Sequence, residues 1–140
     1  MSGVIRVDHK EGDLFEINVR QHLLHVDQPT GAGGSDSAPT PTELFVVSLA
    51  TCVAFYARRF LARHRLPTEG LSVVASFEMA DRPARVSEID VSIDVPVGVP
   101  DEQCGRLLAV ASHCTVHNSL EVPPQVTIGV SSRRIEAIST

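Results

Sequence analysis

The stretch that decides the fold is residues 39–60, PTPTELFVVSLATCVAFYARRF. Its residues 40–43, Thr-Pro-Thr-Glu, are typical of a helix start, because threonine caps, proline suits the first helical position and glutamate completes a capping box. A proline and a glycine at positions 67 and 70 predict that the helix ends near Arg65.

This predicted helix is apolar on nearly every side between Leu44 and Phe55. Such a pattern indicates a helix that is buried on most of its faces. One small sheet can cover only one of those faces, so the sequence predicts that a second helix or a second subunit covers the other. Polar residues inside the run and arginines 58 and 59 at its end argue against a membrane span.

The rest of the chain predicts strands and a second helix. Five segments with partial or strict alternation are predicted as strands: residues 4–8, 14–20, 22–27, 71–78 and 86–95. A helix is predicted over about 100–114, a short extra turn near 118–119, and a last strand over 126–130. The fold class is therefore α+β, with helices packed on a largely antiparallel sheet. The Gly- and Pro-rich residues 28–41 are either a linker or a loop near a site.

Length and charge narrow the class of protein. A chain of 140 residues predicts a single domain over 1–140, and a net charge of −5 argues against nucleic acid or an anionic membrane as partner.

The N-terminus has no apolar signal segment, so we expect a cytoplasmic protein. No cofactor motif is evident, because GAGGSD lacks the lysine of a phosphate-binding loop. In the cytoplasm a thiol pair is more often catalytic or metal-binding than structural.

Cys52 lies in the middle of the apolar helix, and two interpretations are open. A cysteine in an apolar helix is commonly a small buried hydrophobic residue. A reactive Cys52 needs a nearby cation, because it lies about three turns from the helix start, beyond the reach of the helix dipole. Arg20, at the end of a predicted strand, is the better candidate, and Arg59 is too far along the helix.

Cys114 lies in SHCTVHNSL, between His113 and His117. Three interpretations are open. The histidines can bond to carbonyls at a helix end, or Cys114 can be a resolving thiol for Cys52. The cysteine and the two histidines can also be metal ligands, although two or three ligands without a second cluster make a poor zinc site. Arginines 58, 59, 63 and 65 cluster at the end of the long helix, where they suit the dipole and predict a solvated face.

Two segments together resemble the OsmC/Ohr superfamily of osmotically inducible and organic hydroperoxide resistance proteins. The first is VDQPTGAGGSDSAPTPTELFVVSLATC and the second is SHCTVHNSL, and the likeness spans roughly residues 14–130. The resemblance implies an OsmC-like fold, with antiparallel sheets wrapped around two central helices in an intertwined homodimer. It also implies a thiol-dependent peroxidase acting on organic hydroperoxides, with a dithiol such as a dihydrolipoyl group as reductant.

By this resemblance Cys52 is the peroxidatic thiol, Cys114 the resolving thiol and Arg20 the activating arginine, with Arg6 as an alternative. The family has a glutamate ten residues before the reactive cysteine, where this chain has Thr42. Glu43 is the nearest substitute, although a regular helix places it about 180° from Cys52. An OsmC-like thiol protein or small-ligand-binding protein without peroxidase activity is therefore the alternative function.

Overall fold

The computed structural model describes residues 2–132 of the chain, and it begins with a three-stranded antiparallel sheet. The strands β1 (Ile5–Glu11), β2 (Leu14–Val19) and β3 (His22–Val26) pair in chain order. All three were predicted, and β1 extends three residues further than its apolar pattern suggested. No helix of the described chain packs extensively on this sheet, which leaves side chains such as Ile5 and Leu23 more than half exposed.

The loop between β3 and the long helix is ordered around one buried carboxylate. Asp27 is 1% exposed and accepts hydrogen bonds from the Gln28, Ser35 and Ser37 amides and from the Ser37 hydroxyl, the last at 2.7 Å. These donors, the Ser37 hydroxyl above all, lower the pKa of the Asp27 carboxyl. The Asp27 amide in turn donates to the Pro39 carbonyl at 3.1 Å. Residues 28–41 therefore form a loop held by specific hydrogen bonds and not a flexible linker.

The long helix, α1 (Pro41–Arg63), begins where the sequence predicts. The Thr40 hydroxyl accepts from the Glu43 amide at 3.0 Å, and the Glu43 carboxylate accepts from the Thr40 amide at 2.9 Å. This reciprocal capping box satisfies two N–H groups that have no partner inside the helix. The helix ends two residues before the predicted Arg65.

A two-stranded antiparallel sheet packs against α1. Its strands are β4 (Ser72–Ala80) and β5 (Arg85–Asp94). The alternation predicted for β5 is confirmed, because Ile89, Val91 and Ile93 pack on the core while the residues between them face outward.

Two helices follow, where the sequence predicted one helix and a short extra turn near residues 118–119. α2 (Asp101–Ala111) stops before Cys114, and α3 (Thr115–Glu121) starts directly after it. Cys114 has extended backbone angles, φ −69° and ψ 158°, and its sulfur caps α3. The prediction of a single helix over 100–114 was therefore wrong at its end, because the apolar pattern of α2 does not reveal a cysteine that acts as a cap.

The strand predicted over residues 126–130 is absent from the single chain. Val126, Ile128 and Val130 alternate as a strand should, yet they are 72–97% exposed. A strand exists only when a neighbouring backbone supplies hydrogen bonds, and none of the strands within residues 2–132 pairs with this segment. The pattern is right for a strand, but no described strand lies beside it.

The core lies between one face of α1, the β4–β5 sheet and α2. Its centre contains Ala57, Leu61, Leu107 and Ala111, each at most 2% exposed. The rest of the α1 surface is more open. Three of its large side chains are about half exposed: Phe45, Val47 and Phe55. The chain thus covers one side of its apolar helix, as the sequence predicted for one small sheet.

The hydropathy of α1 is higher than its polar residues suggested. By length and composition alone this helix would qualify as a membrane span, with a mean hydropathy of 1.6 over its most apolar window. Core helices of soluble proteins share this property, so composition does not decide between the two.

Candidate functional site

The two cysteines singled out from the sequence meet in the folded chain. The Val116 amide donates to Cys52 Sγ at 3.5 Å, and the next amide, that of His117, donates to Cys114 Sγ at 3.4 Å. Consecutive N–H groups therefore hold one sulfur each. Both thiols are free in this structure.

Local structure explains why these amides are available. They belong to the first turn of α3, whose N–H groups have no carbonyl partner within the helix. Cys52 reaches them from α1 because its neighbours Leu49 and Val53 lie in the core and fix the helix rotation. Tyr56, one turn after Cys52, places its hydroxyl 2.9 Å from the Thr115 hydroxyl and ties α1 to the start of α3.

The two thiols differ in exposure, and burial affects the proton of Cys114. Cys52 is partly exposed, whereas Cys114 is fully buried. Burial raises the pKa of the Cys114 thiol, the neighbouring Cys52 raises it further, and the His117 amide works in the opposite direction. Cys114 therefore keeps its proton at neutral pH, and the more accessible Cys52 is the sulfur that a molecule from solution can reach.

The raised pKa of Cys114 predicts a loss of stability in alkaline solution. The folded state binds this proton more tightly than the unfolded chain does, so the free energy of unfolding falls as pH rises above the ordinary thiol pKa. We expect the wild-type protein to lose stability between about pH 8 and 10 relative to Cys114→Ala, measured by urea unfolding with the thiols kept reduced. Cys104→Ala should follow the wild-type profile. Parallel profiles for wild type and Cys114→Ala would refute the assignment.

The predicted activating residues are not brought to the thiols within one chain. Arg20 occupies the turn between β2 and β3 with φ 54°, and no hydrogen bond or ion pair joins it to either cysteine in the described chain. The alternative, Arg6, pairs with Asp8 at 3.1 Å. Glu43 is engaged in the capping box, as its position relative to Cys52 predicted.

The histidines beside Cys114 contact helix-end carbonyls, as one of the open interpretations held. His113 Nδ1 lies 2.7 Å from the Ala109 carbonyl, and His117 Nδ1 contacts the Ser112 carbonyl. His117 Nε2 is also 3.2 Å from the Glu121 carboxylate. Among residues 2–132 no three His, Cys, Asp or Glu side chains are grouped so as to hold a metal ion.

An apolar cavity of about 180 Å³ opens between α1, β5 and α2, and neither cysteine lines it. Leu49 and Val53, which flank Cys52 on α1, form one wall, and His117 lies at its edge. The sequence analysis missed this cavity, together with the Val116 amide and the Tyr56–Thr115 pair. Tyr56 was visible as the residue one turn after Cys52, but the amide and the cavity depend on how α3 meets α1.

Comparison of the sequence with known proteins identifies the family. A sequence model of the family described as OsmC-like protein matches residues 34–129, well over half of the chain. No curated protein matches the sequence significantly.

Solved structures show the same fold. One is described as an osmotic stress induced and detoxification response protein from Psychrobacter arcticus, with 23% identity, a TM-score of 0.77, and coverage of 85% of this chain and 90% of that one. An OsmC like protein from Mycoplasma pneumoniae has 15% identity and a TM-score of 0.74, and the match covers 86% of this chain and 88% of that one. An organic hydroperoxide resistance protein OsmC from Legionella pneumophila has 17% identity and a TM-score of 0.67, with coverage of 86% of this chain and 89% of that one. At these identities the likeness establishes the fold alone.

Proposed function

The chain belongs to the family of OsmC-like proteins, and on that basis we propose that it is a thiol-dependent peroxidase that reduces organic hydroperoxides. Cys52 is the peroxidatic thiol and Cys114 is the resolving thiol. The observation that carries the proposal is the pair of consecutive amides, Val116 and His117, which hold the two sulfurs side by side. Organic hydroperoxide resistance proteins among the structures of the same fold support the choice of substrate class.

In the first step the Cys52 thiolate attacks the terminal oxygen of the hydroperoxide. An S–O bond forms as the O–O bond breaks, the sulfur is oxidised to a sulfenic acid, and the alkoxide takes a proton to leave as the alcohol. The partly exposed position of Cys52 suits this attack, and the Val116 amide stabilises negative charge on its sulfur.

In the second step the Cys114 sulfur attacks the sulfenic acid. The S–S bond forms, and the hydroxyl of the sulfenic acid leaves as water with the Cys114 proton. Burial suits Cys114 for this role, because a thiol shielded from solvent meets the oxidised Cys52 and not the substrate. A dithiol of the dihydrolipoyl type then reduces the disulfide by exchange, so the cycle needs no bound cofactor.

The proposal includes a homodimer with intertwined subunits in the cytoplasm. Three open features support a second copy: the half-exposed side chains of α1, the N-terminal sheet that no helix within residues 2–132 packs on extensively, and the alternating residues 126–130, which pair with no described strand. Two α1 helices packed together at the centre would bury the exposed apolar side chains. Isolated exposed hydrophobic residues are ordinary, whereas contiguous faces of this kind are typical of interfaces.

The proposed dimer could also supply the positively charged side chain that Cys52 lacks within one chain. Within one chain Arg20 makes no contact with Cys52, so we propose that the β2–β3 turn of one subunit carries Arg20 to the Cys52 of the other. A guanidinium beside Cys52 would favour its thiolate. Glu43 would assist only if it left its capping role.

Mass spectrometry after one equivalent of cumene hydroperoxide tests this function. We expect reduced protein to lose two hydrogen atoms in mass and to yield a peptide pair joined through Cys52 and Cys114. Blocking free thiols under denaturing conditions before digestion prevents exchange with Cys104. Overoxidised Cys52 beside a free Cys114, or a disulfide that includes Cys104, would contradict the assigned roles.

A thiol or small-ligand-binding protein without peroxidase activity is the second candidate. It is favoured by Thr42 at the position of the family's glutamate and by the engagement of Glu43 in the helix cap. In that case Cys52 would react readily with alkylating agents in the native protein while hydroperoxide was not consumed.

A further inference from the structure

A second cavity, of about 200 Å³, lies at the C-terminal end of α1, and neither Cys52 nor Cys114 lines it. The residues that line it come from α1, its end and α2: Tyr56, Arg59, Phe60, Arg63, His64 and Val110. The sequence predicted a solvated face for the arginines of this helix end. All four are exposed, as predicted, and two of them, Arg59 and Arg63, also line this cavity.

Within residues 2–132 no acidic side chain forms an ion pair with the arginines of this cavity. Arg59 and Arg63 are one helical turn apart on the same side of α1, a spacing at which like charges repel. No ion pair involves either of them in the described part of the chain, although acidic residues outnumber basic ones by 17 to 12 overall. Arg59 is oriented by the Phe55 ring, with its Cζ 5.3 Å from the ring centroid.

The walls of the cavity are apolar. The Phe60 ring stacks on His64 at 4.1 Å between centroids, and His64 Nδ1 lies 2.9 Å from the Phe60 carbonyl, which fixes the imidazole. A carbonyl can only accept, so Nδ1 carries the proton and donates. Two cationic groups on an apolar floor match a ligand with a carboxylate and a hydrocarbon chain.

The cavity and the thiols lie on one face of α1. Cys52, Tyr56, Arg59 and Arg63 follow a helical spacing of four, three and four residues, and Tyr56 both lines the cavity and contacts the start of α3. At 1.5 Å per residue the arginine backbone positions are roughly 10 and 16 Å from that of Cys52 along the axis. A medium-length acyl chain spans that distance.

We propose that Arg59 and Arg63 bind the carboxylate of acyl hydroperoxides and select anionic substrates for Cys52. The inference rests on the proposed peroxidase function for the hydroperoxide, but the carboxylate site itself does not depend on turnover. The arginines do not touch the reacting oxygen atoms, so they determine specificity and are not catalytic residues.

The test compares linoleic acid hydroperoxide with its methyl ester, which share the chain and the reacting group and differ only in charge. We expect Arg59→Gln and Arg63→Gln each to raise KM for the acid about tenfold and to leave kcat and the ester kinetics unchanged. High salt should reduce the wild-type preference for the acid. Arg58→Gln, which removes the same charge outside the cavity, is the matched control and should have little effect.

Equal effects on acid and ester, or an Arg58→Gln effect as large as that of Arg59→Gln, would overturn the proposal. Binding of unoxidised linoleic acid and methyl linoleate to Cys52→Ser, measured by calorimetry, separates it from the proposed function. If the wild type consumes neither hydroperoxide but the acid binds through Arg59 and Arg63, the peroxidase fails and the carboxylate site stands. If peroxide is consumed but the acid binds no more tightly than the ester, the carboxylate site fails.

Discussion

Cys52→Ser is expected to lower the rate of hydroperoxide reduction by about a thousandfold or more, because a serine hydroxyl is neither ionised at neutral pH nor comparably nucleophilic. Cys114→Ser should behave differently. Its Cys52 can still attack, so one equivalent of hydroperoxide is consumed rapidly and turnover then stops with a sulfenic acid on Cys52. Stopped-flow measurement of peroxide loss and trapping of the sulfenic acid with dimedone distinguish the two variants.

The chain provides its own control in Cys104. This third cysteine lies in α2 with its sulfur 3.8 Å from the Pro100 carbonyl, outside the hydrogen bonds that hold the other two. Cys104→Ser should therefore retain both the burst and the steady rate. A Cys52→Ser protein that still turns over, or a Cys114→Ser protein that cycles as fast as wild type, would refute the assignment of attacking and resolving thiols.

Local signals in the sequence predicted most of the elements. The capping residues 40–43 located the start of α1, and strict alternation identified the buried face of β5. Cys114 was identified as a candidate, but its role as the cap of α3 was missed, because helix-end geometry is set by backbone angles and not by apolar spacing. The strand pattern at 126–130 was read from alternation alone, which does not say whether a neighbouring strand exists.

The candidate site was predictable in its residues but not in its contacts. Cys52 and Cys114 are 62 positions apart, and their meeting depends on how α3 docks on α1. Arg20 lies in the β2–β3 turn and has no hydrogen bond or ion pair to either cysteine within the described chain, and the sequence alone does not give the distance between them. The arginines at the end of α1 were visible as a cluster, yet the cavity beneath two of them requires Val110 from α2.

The other large effect is expected from Gly34, in the loop built around Asp27. A Cβ atom at this position would lie 2.1 Å from the Gln28 carbonyl oxygen and 2.7 Å from Asp27 Oδ1. The Gln28 carbonyl oxygen belongs to the backbone, so the loop backbone itself would have to move. Gly34→Ala therefore should destabilise the protein by about 3 kcal/mol, at the upper end of the usual cost of overpacking.

The Gly34 effect can be separated from the general effect of adding a methyl group to this loop. Gly31 lies in the same loop with open space around its Cβ position, so Gly31→Ala should be close to neutral or slightly stabilising. Urea unfolding of both variants at one protein concentration measures the difference. Because the Asp27 amide bonds Pro39, directly before the Thr40 cap, the disturbance should also reach the start of α1. If both variants unfold at the same urea concentration, the contact of Gly34 with residues 27 and 28 does not set the stability of this loop.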